Sequence, residues 1–469
     1  RMTRPVPAFD PRAMREIPDE IMRRYDVPGP RYTSYPTAPA WSDDFSEADH
    51  INALRGSATS GRPLSVYVHL PFCESLCIYC GCNVVITSKP AVERRYRASL
   101  LAEIREVGRR LGDRTRLSQL HWGGGTPTYG DPAELLAFHE AVLDVFQLED
   151  DAEVAVEVDP RVTTVAHLEA LRSGGFNRLS LGVQDFTLEV QEAVNRVQSL
   201  EQTRDLIDAA RRLGYGSVNV DLIYGLPRQR PVTFHETLAK VEQLKPERIA
   251  IYSYAHVPWI QKKQNRIDVA DLPTPETKLE LFESAAERLV DFGYVELGMD
   301  HFALPDDELA RAATKGTLGR NFMGYTVKAA PDMIGCGLSS IGDVAGGFFQ
   351  NEKHLARYQR AVDADELATV KGVVRTADDH LRGHVITELM VNLRLDTRDV
   401  ERRFGIDFDD TFAPALAALE GPMADDLLVR DGPVLEVTPL GRRLVRNLAM
   451  AFDARLAAPS ETPVYSRTV

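Results

Sequence analysis

The sequence predicts an α/β fold: an open (β/α)6 partial barrel, with an extended N-terminal arm and a mostly helical, winged-helix-like C-terminal domain. Three observations predict it. Between about 62 and 300, short β-branched runs alternate with longer stretches of helical period, the pattern of parallel βαβ units. There are six such units, too few to close an eight-stranded barrel. From about 376 the pattern turns to successive helices with one small β element. The expected divisions are an arm over 1–60, a barrel over 61–375 and a C-terminal domain over 376–469.

The arm comes first. Pro28-Gly29-Pro30-Arg31-Tyr32-Thr33-Ser34-Tyr35-Pro36-Thr37 is too dense in proline for helix and reads as an extended segment. Two tyrosines and an arginine between prolines suit an arm that lies over something rather than a bare linker. Strands are expected near 65–70, 118–122, 153–158, 177–183, 217–223 and 248–255. Helices are expected over 91–111, 132–147, 164–173, 200–213, 234–244 and 275–292.

Side chains alternate across a strand, so each strand's two faces can be read separately. Val154, Val156 and Val158 oppose Glu153, Ala155 and Glu157; Leu179, Leu181 and Val183 oppose Arg178, Ser180, Gly182 and Gln184. Val218, Val220 and Leu222 oppose Asn219, Asp221 and Ile223, and Val66 and Val68 oppose Ser65, Tyr67 and His69. The apolar faces are expected against the helices and the polar ones in the lumen. A closed barrel fills its interior with branched apolar side chains, so a polar lining points to a lumen that holds a ligand. In the last segment, helices are expected over 378–393, 397–404 and 411–419, a strand over 434–438 and a final helix from 440 to about 456.

Bulk properties narrow the function classes. The 469 residues are 44% hydrophobic and 26% charged, a globular composition. The net charge of −14, from 55 basic and 69 acidic residues, argues against nucleic acid as a partner. The C-terminal segment has no basic cluster beyond Arg442, Arg443 and Arg446, so a DNA-binding winged helix is also disfavoured. No apolar run approaches the roughly 20 residues of a membrane helix. An acidic chain that takes a polycarboxylate must gather its arginines locally.

Four of the five cysteines, Cys73, Cys77, Cys80 and Cys82, fall within ten residues after the first strand. Zinc sites more often draw two pairs from separate knuckles, and few, odd-numbered cysteines argue against a disulfide framework. Free thiols are expected in a reducing cytoplasm. The triplet Cys73-x3-Cys77-x2-Cys80 can hold three corners of a cubane iron–sulfur cluster and leave the fourth iron open. The glycine run Gly123-Gly124-Gly125-Thr126-Pro127-Thr128 ends the second strand. It lacks both G-x-G-x-x-G and a terminal Lys-Ser/Thr, so it is no phosphate loop.

This triplet after a strand resembles the radical S-adenosylmethionine (SAM) enzymes. The longer string Tyr67-Val68-His69-Leu70-Pro71-Phe72-Cys73, with Gly81-Cys82-Asn83, resembles one family among them, the oxygen-independent coproporphyrinogen III oxidases (dehydrogenases). Further strings carry the likeness: the Arg31–Pro36 arm, Gly298-Met299-Asp300-His301-Phe302, Arg320-Asn321-Phe322-Met323-Gly324-Tyr325 and Gly335-Cys336-Gly337 through Ile341-Gly342. The resemblance implies a 4Fe-4S cluster on Cys73, Cys77 and Cys80, and two SAM molecules. It associates Tyr67, Gly124, Glu157 and Ile341 with the SAM on the cluster. Tyr79, Gly125, Thr126, Gln184, Arg196, Asp221 and Ala255 match positions around the second. Phe322 and Met323 join the catalytic positions, although the family commonly has glutamine where Met323 stands. A thioether cannot donate a hydrogen bond as an amide does, which bears on second-SAM placement or substrate positioning. Arg31 is a candidate propionate partner, since guanidinium matches carboxylate bidentately. Asp300 and His301 are read as structural, and Cys336 as a small buried residue.

The chemistry implied is anaerobic oxidative decarboxylation of two propionates of coproporphyrinogen III to vinyl groups, giving protoporphyrinogen IX through a SAM-derived 5′-deoxyadenosyl radical. It implies coproporphyrinogen III as substrate, an electron donor such as flavodoxin or ferredoxin, and a cytoplasmic monomer. Two relatives compete with that reading. A haem chaperone of the superfamily lacks the Arg31–Pro36 arm, and a radical SAM methyltransferase or cyclopropanase also suits two SAM molecules.

Overall fold

The computed structural model describes residues 18–456 and Tyr465. Six parallel strands lie side by side in chain order: β1 Leu64–Leu70, β2 Arg116–Gly124, β3 Gln147–Val158, β4 Arg178–Gln184, β5 Ser217–Tyr224 and β6 Arg248–Ser253. Helices α1 Pro90–Leu111, α2 Pro132–Leu143, α3 Val165–Ser173, α4 Leu200–Leu213, α5 Pro231–Leu244 and α6 Pro275–Asp291 alternate with them. Their starts are written locally. Four begin on proline, whose fixed φ and missing N–H suit the first turn. Asp131 accepts from the Ala133 and Glu134 N–H groups ahead of α2, and Ser199 forms a capping box with Gln202 ahead of α4. Gly214 then ends α4 in the left-handed conformation.

Register turns alternation into layers. Val66 pairs with Leu120, Leu120 with Val154, Val156 with Leu179, Leu181 with Val220 and Val220 with Ile249. All are buried in one core that includes the helix faces. The other face carries Tyr67 beside His121, Glu157 beside Ser180, Ser180 beside Asn219, and Gly182 beside Asp221. The expected division between apolar outside and polar lumen therefore holds across the sheet.

The sheet is wider than the six expected strands. At one edge β1 pairs with a parallel strand, β9 Met333–Cys336, followed by antiparallel β10 Ile341–Val344, β11 Gly347–Asn351 and β12 Thr369–Val374. At the other, β8 His301–Ala303 pairs antiparallel with β6 and with β7 Val295–Gly298. The twelve strands form one open sheet. The edge strands escaped sequence reading because they are short and broken by glycines that read as turns. Cys336 lies fully buried in β9, as expected of it.

A second core is built differently. Tyr32 and Tyr35 of the arm, Leu297, Leu318 and Tyr325, and a run of residues from Leu381 to Phe452 pack together. The C-terminal part of it has helices Ala377–Thr387, Thr397–Phe404 and Ala413–Ala424. Its three-stranded sheet runs Arg394–Asp396, Val434–Val437, Leu428–Asp431 in spatial order. The arm is not wholly extended, because a capped helix at Glu47–Ser57 precedes β1. Among the described residues no helix is long and apolar enough to cross a membrane.

Candidate active site at the carboxyl ends of the strands

β1 delivers the cysteine loop. Pro71 has no N–H to continue the ladder, and Phe72–Cys73 pairs instead with Val85–Ile86, which closes the neck of the loop. Cys77 is buried, Cys73 and Cys80 are half-buried, and Cys82 is exposed. The Cys73 sulfur lies 3.6 Å from the Thr126 hydroxyl. Arg161 Nη2 and Arg196 Nη1 each donate to the Cys77 sulfur at 3.5 Å. Asp159 holds both guanidiniums, accepting from Arg161 Nε at 3.0 Å and Arg196 Nη1 at 3.0 Å. Burial opposes ionisation of Asp159, but the two arginines keep its carboxyl below the ordinary value. A hydrogen bond from Cys82 holds the Cys80 thiol below the usual cysteine range, against the effect of burial.

These residues fit an iron–sulfur cluster. Thiolates on one short loop are its usual ligands, and N–H donors to the sulfurs tune it. Zinc sites more often draw two ligand pairs from separate knuckles, so zinc suits four sulfurs on one short loop less well.

The glycines ending β2 have a packing reason. A Cβ on Gly125 would stand 2.6 Å from the Pro71 carbonyl, and one on Gly124, at φ +120°, would stand 2.7 Å from the His69 ring. The Gly125 N–H donates to Leu70 O at 2.9 Å and the Thr126 N–H to Phe72 O at 2.8 Å. What approaches this backbone is the neck of the cysteine loop.

Behind the loop the lumen contains a cavity of about 130 Å3, lined among others by His121, Glu157, Ser180, Asn219, Asp221 and Met323. Glu157 accepts from His121 Nε2 at 3.1 Å and from the Gly124 N–H at 3.2 Å. Burial works against its charge, yet these donors hold its carboxyl below the ordinary range. The Tyr67 ring stacks on His121 at 5.9 Å, and its hydroxyl lies 3.1 Å from His69 Nδ1. Asp221 accepts from Asn219 at 2.8 Å and Ser180 at 3.1 Å. Desolvation and the nearby Glu157 charge nevertheless push its carboxyl up to about 6. Gln184 ends β4 in the left-handed region, at φ 70°, with its Oε1 buried and without a hydrogen-bond partner among the described residues. Strained backbone with an unsatisfied buried acceptor is what a ligand site leaves when its ligand supplies the donor.

Tyr79 and Ala255 are brought together by a residue the sequence reading missed. Buried Gln264 donates to both Tyr79 O and Ala255 O, at 3.1 and 3.2 Å, tying the cysteine loop to the end of β6. Ile341 opens β10 beside β9, at the edge next to β1. Phe322 and Met323 form the tip of a hairpin between Gly319–Asn321 and Gly324–Thr326. Met323 faces the lumen, whereas Phe322 packs edge-on to Trp41 and Phe348. Arg31 stands away from the lumen, paired with Asp300 at 3.3 Å. Asp300 also accepts from His301 at 2.7 Å and is held down to about 2, with burial outweighed first by His301 and then by Arg31 and Arg320. Arg161 and His121 were also missed. Arg161 follows Asp159-Pro160 just past β3, and His121 falls on the lumen face of β2, so strand-end position was the signal for both.

Comparisons with known proteins agree with this geometry. Residues 67–241 match the Radical SAM superfamily, and residues 376–444 match the HemN C-terminal domain. The fold and the cysteine loop thus define a radical SAM enzyme. The chain is 44% identical to the oxygen-independent coproporphyrinogen III oxidase of Pseudomonas aeruginosa, over 93% of this chain and 95% of that one. Its counterpart in Escherichia coli is 43% identical over 96% and 98%. A solved Escherichia coli structure described as coproporphyrinogen III oxidase (HemN), a radical SAM enzyme, superposes with a TM-score of 0.88. It covers 91% of this chain and 98% of its own at 43% identity. The chain belongs to the oxygen-independent coproporphyrinogen III oxidase family.

Proposed function

We propose that this protein converts coproporphyrinogen III to protoporphyrinogen IX without oxygen, as a radical SAM oxidoreductase of haem biosynthesis. The observation that carries the reading is identity above 40% along nearly the whole chain to enzymes named for that reaction. When bound, a 4Fe-4S cluster and SAM supply one-electron cleavage to a carbon radical, which takes a hydrogen atom from a propionate β-carbon before carbon dioxide and an electron leave.

The chain's own residues position and enclose. Cys73, Cys77 and Cys80 hold the cluster, and Arg161 and Arg196 direct N–H groups at the Cys77 sulfur. Glu157, held ionised by His121 and Gly124, accepts from hydroxyls, and Tyr67, Gly124 and Ile341 are further contacts of the cluster-bound SAM. Tyr79, Gly125, Thr126, Gln184, Arg196, Asp221 and Ala255 surround a second SAM, with the partnerless Gln184 acceptor in support. Phe322 and Met323 border the substrate. The apolar hairpin tip Phe322–Met323, with Trp41 and Phe348 packed on Phe322, keeps water away from a reactive carbon radical. A small one-electron carrier such as flavodoxin or ferredoxin supplies reducing equivalents, and the protein works as a monomer in the reducing cytoplasm.

Anaerobic incubation of the iron-loaded protein with coproporphyrinogen III, SAM and a reductant, followed by porphyrin chromatography, tests this. Two vinyl groups per product and free methionine are expected. S-adenosylhomocysteine, or porphyrin bound without turnover, would overturn it.

A further inference from the structure

A larger cavity, about 480 Å3, adjoins the lumen at the Asp300–His301 pair: Asp300 lines it while His301 lines the lumen. Three distant parts of the chain build its wall. The arm contributes Arg31, α6 contributes Lys278, and the C-terminal part contributes Arg442, Arg443 and Arg446. These five cations share the wall with two acids, Asp26 and Asp300, in a protein whose net charge is −14. Such a local reversal of sign marks a place for an anion.

Several of these cations already have structural work. Arg31 pairs with Asp300, Arg443 with Glu296 at 2.7 Å, and Arg446 donates to Pro30 O at 3.0 Å and to Gly29 O, locking the arm to the C-terminal core. Lys278 differs. Its ammonium donates to Tyr254 O at 3.0 Å and stands 5.8 Å from the Tyr224 ring centre. Among the described residues no carboxylate lies within ion-pair distance of it. An ammonium has three donors, so an incoming carboxylate finds a half-buried partner ready. Burial first, and then the charges of Arg31 and Arg446, push Lys278 down to about 8, with Asp26 opposing.

Resting on the functional reading above, we propose that this cavity seats a carboxylate side arm of the substrate, with Lys278 as its ion-pair partner and the surrounding arginines setting the field. A tetrapyrrole with four propionates reacts at two and keeps two. A kept carboxylate is a handle that is bound equally before and during reaction. The cavity borders Ala255 and Asp300, so one molecule can reach from Lys278 into the lumen. Lys278 is on this account a positioning residue, and its loss should raise KM with little change in kcat.

The test is a fluorescence titration of coproporphyrin III, the oxidised and fluorescent tetracarboxylate, into the full chain and its Lys278→Met and Lys278→Arg variants. Thermal melts run alongside. Lys278→Met should weaken binding by roughly tenfold or more, the scale of one charged hydrogen bond, while Lys278→Arg stays within about threefold of wild type. Affinity of the wild type should fall as the pH rises through about 8, where Lys278 loses its proton, and that fall should vanish in both variants. Tyr224 and His256 share the wall, but burial moves Tyr224 above and His256 below its ordinary value, so neither changes charge near pH 8. Asp300, held down to about 2, and Arg442 and Arg446, lowered only to about 10, keep their charge across that range. Unchanged affinity in a well-folded Lys278→Met, or a wild-type titration flat between pH 7 and 9, would overturn the proposal. Turnover is scored separately. If the wild type makes no vinyl product yet binding follows Lys278 as described, the functional reading fails and the carboxylate site stands.

Discussion

The two cores of this protein are built by opposite means. The barrel core comes from consecutive βα units, each contributing an apolar strand face and a helix stripe to its sequence neighbour. The second core gathers the arm's Tyr32 and Tyr35, residues from 297 to 325, and the C-terminal segment, the arm standing more than 250 residues away from the rest. The cysteine loop and polar lumen hang on the first. The cationic cavity lies where the second meets the barrel. Chemistry is thus held by local structure, and access and recognition by long-range assembly.

Breaking the chemistry side should have the largest effect. Cys77→Ser is expected to lose the iron complement and at least a thousandfold of activity, read by iron and sulfide analysis with product chromatography, while the melting profile of the second core is retained. Tyr35→Ala strikes the other core. It empties a buried ring site whose hydroxyl accepts from the Ala454 N–H at 3.0 Å, and should cost about 3–4 kcal/mol in denaturant unfolding. Iron binding by Cys73, Cys77 and Cys80 should survive it, and a parallel loss of iron would merge the two regions into one unit.

Asp221→Asn sharpens the comparison through pH. An unfolded Asp titrates near 3.8 and Asp221 in the fold near 6, so the folded state keeps its proton longer. Its stabilising share is complete below about pH 4 and is lost as the pH rises through 6. The variant should therefore outlast the wild type above pH 6, by on the order of 2 kcal/mol, and lose that advantage near pH 4. Equal pH profiles from urea titrations would show that Asp221 does not titrate so high. Arg24→Ala removes an exposed pair with Asp425 at 2.7 Å and should leave the melting midpoint unchanged.

Much of the candidate site was readable before the fold. The cysteine spacing, the Gly123–Gly125 turn and the polar faces bearing Glu157 and Asp221 are short-range patterns, and short-range patterns survive in a string. Arg161 and Gln264 were not readable. One reaches Cys77 only because β3 ends beside β1's loop, and the other joins Tyr79 to Ala255 across more than 170 residues.

The sequence by itself determined the six βα units, their apolar and polar faces, and a thiol loop at the carboxyl end of the first strand. Periodicity, proline and glycine act over a few residues and need no partner to be legible. The tertiary structure alone decided that the sheet would run to twelve strands, that the arm would dock on the C-terminal core, and that Lys278 would face Arg31 and Arg446 across one cavity. Those outcomes depend on which distant surfaces bury each other, and burial is a property of the assembled chain.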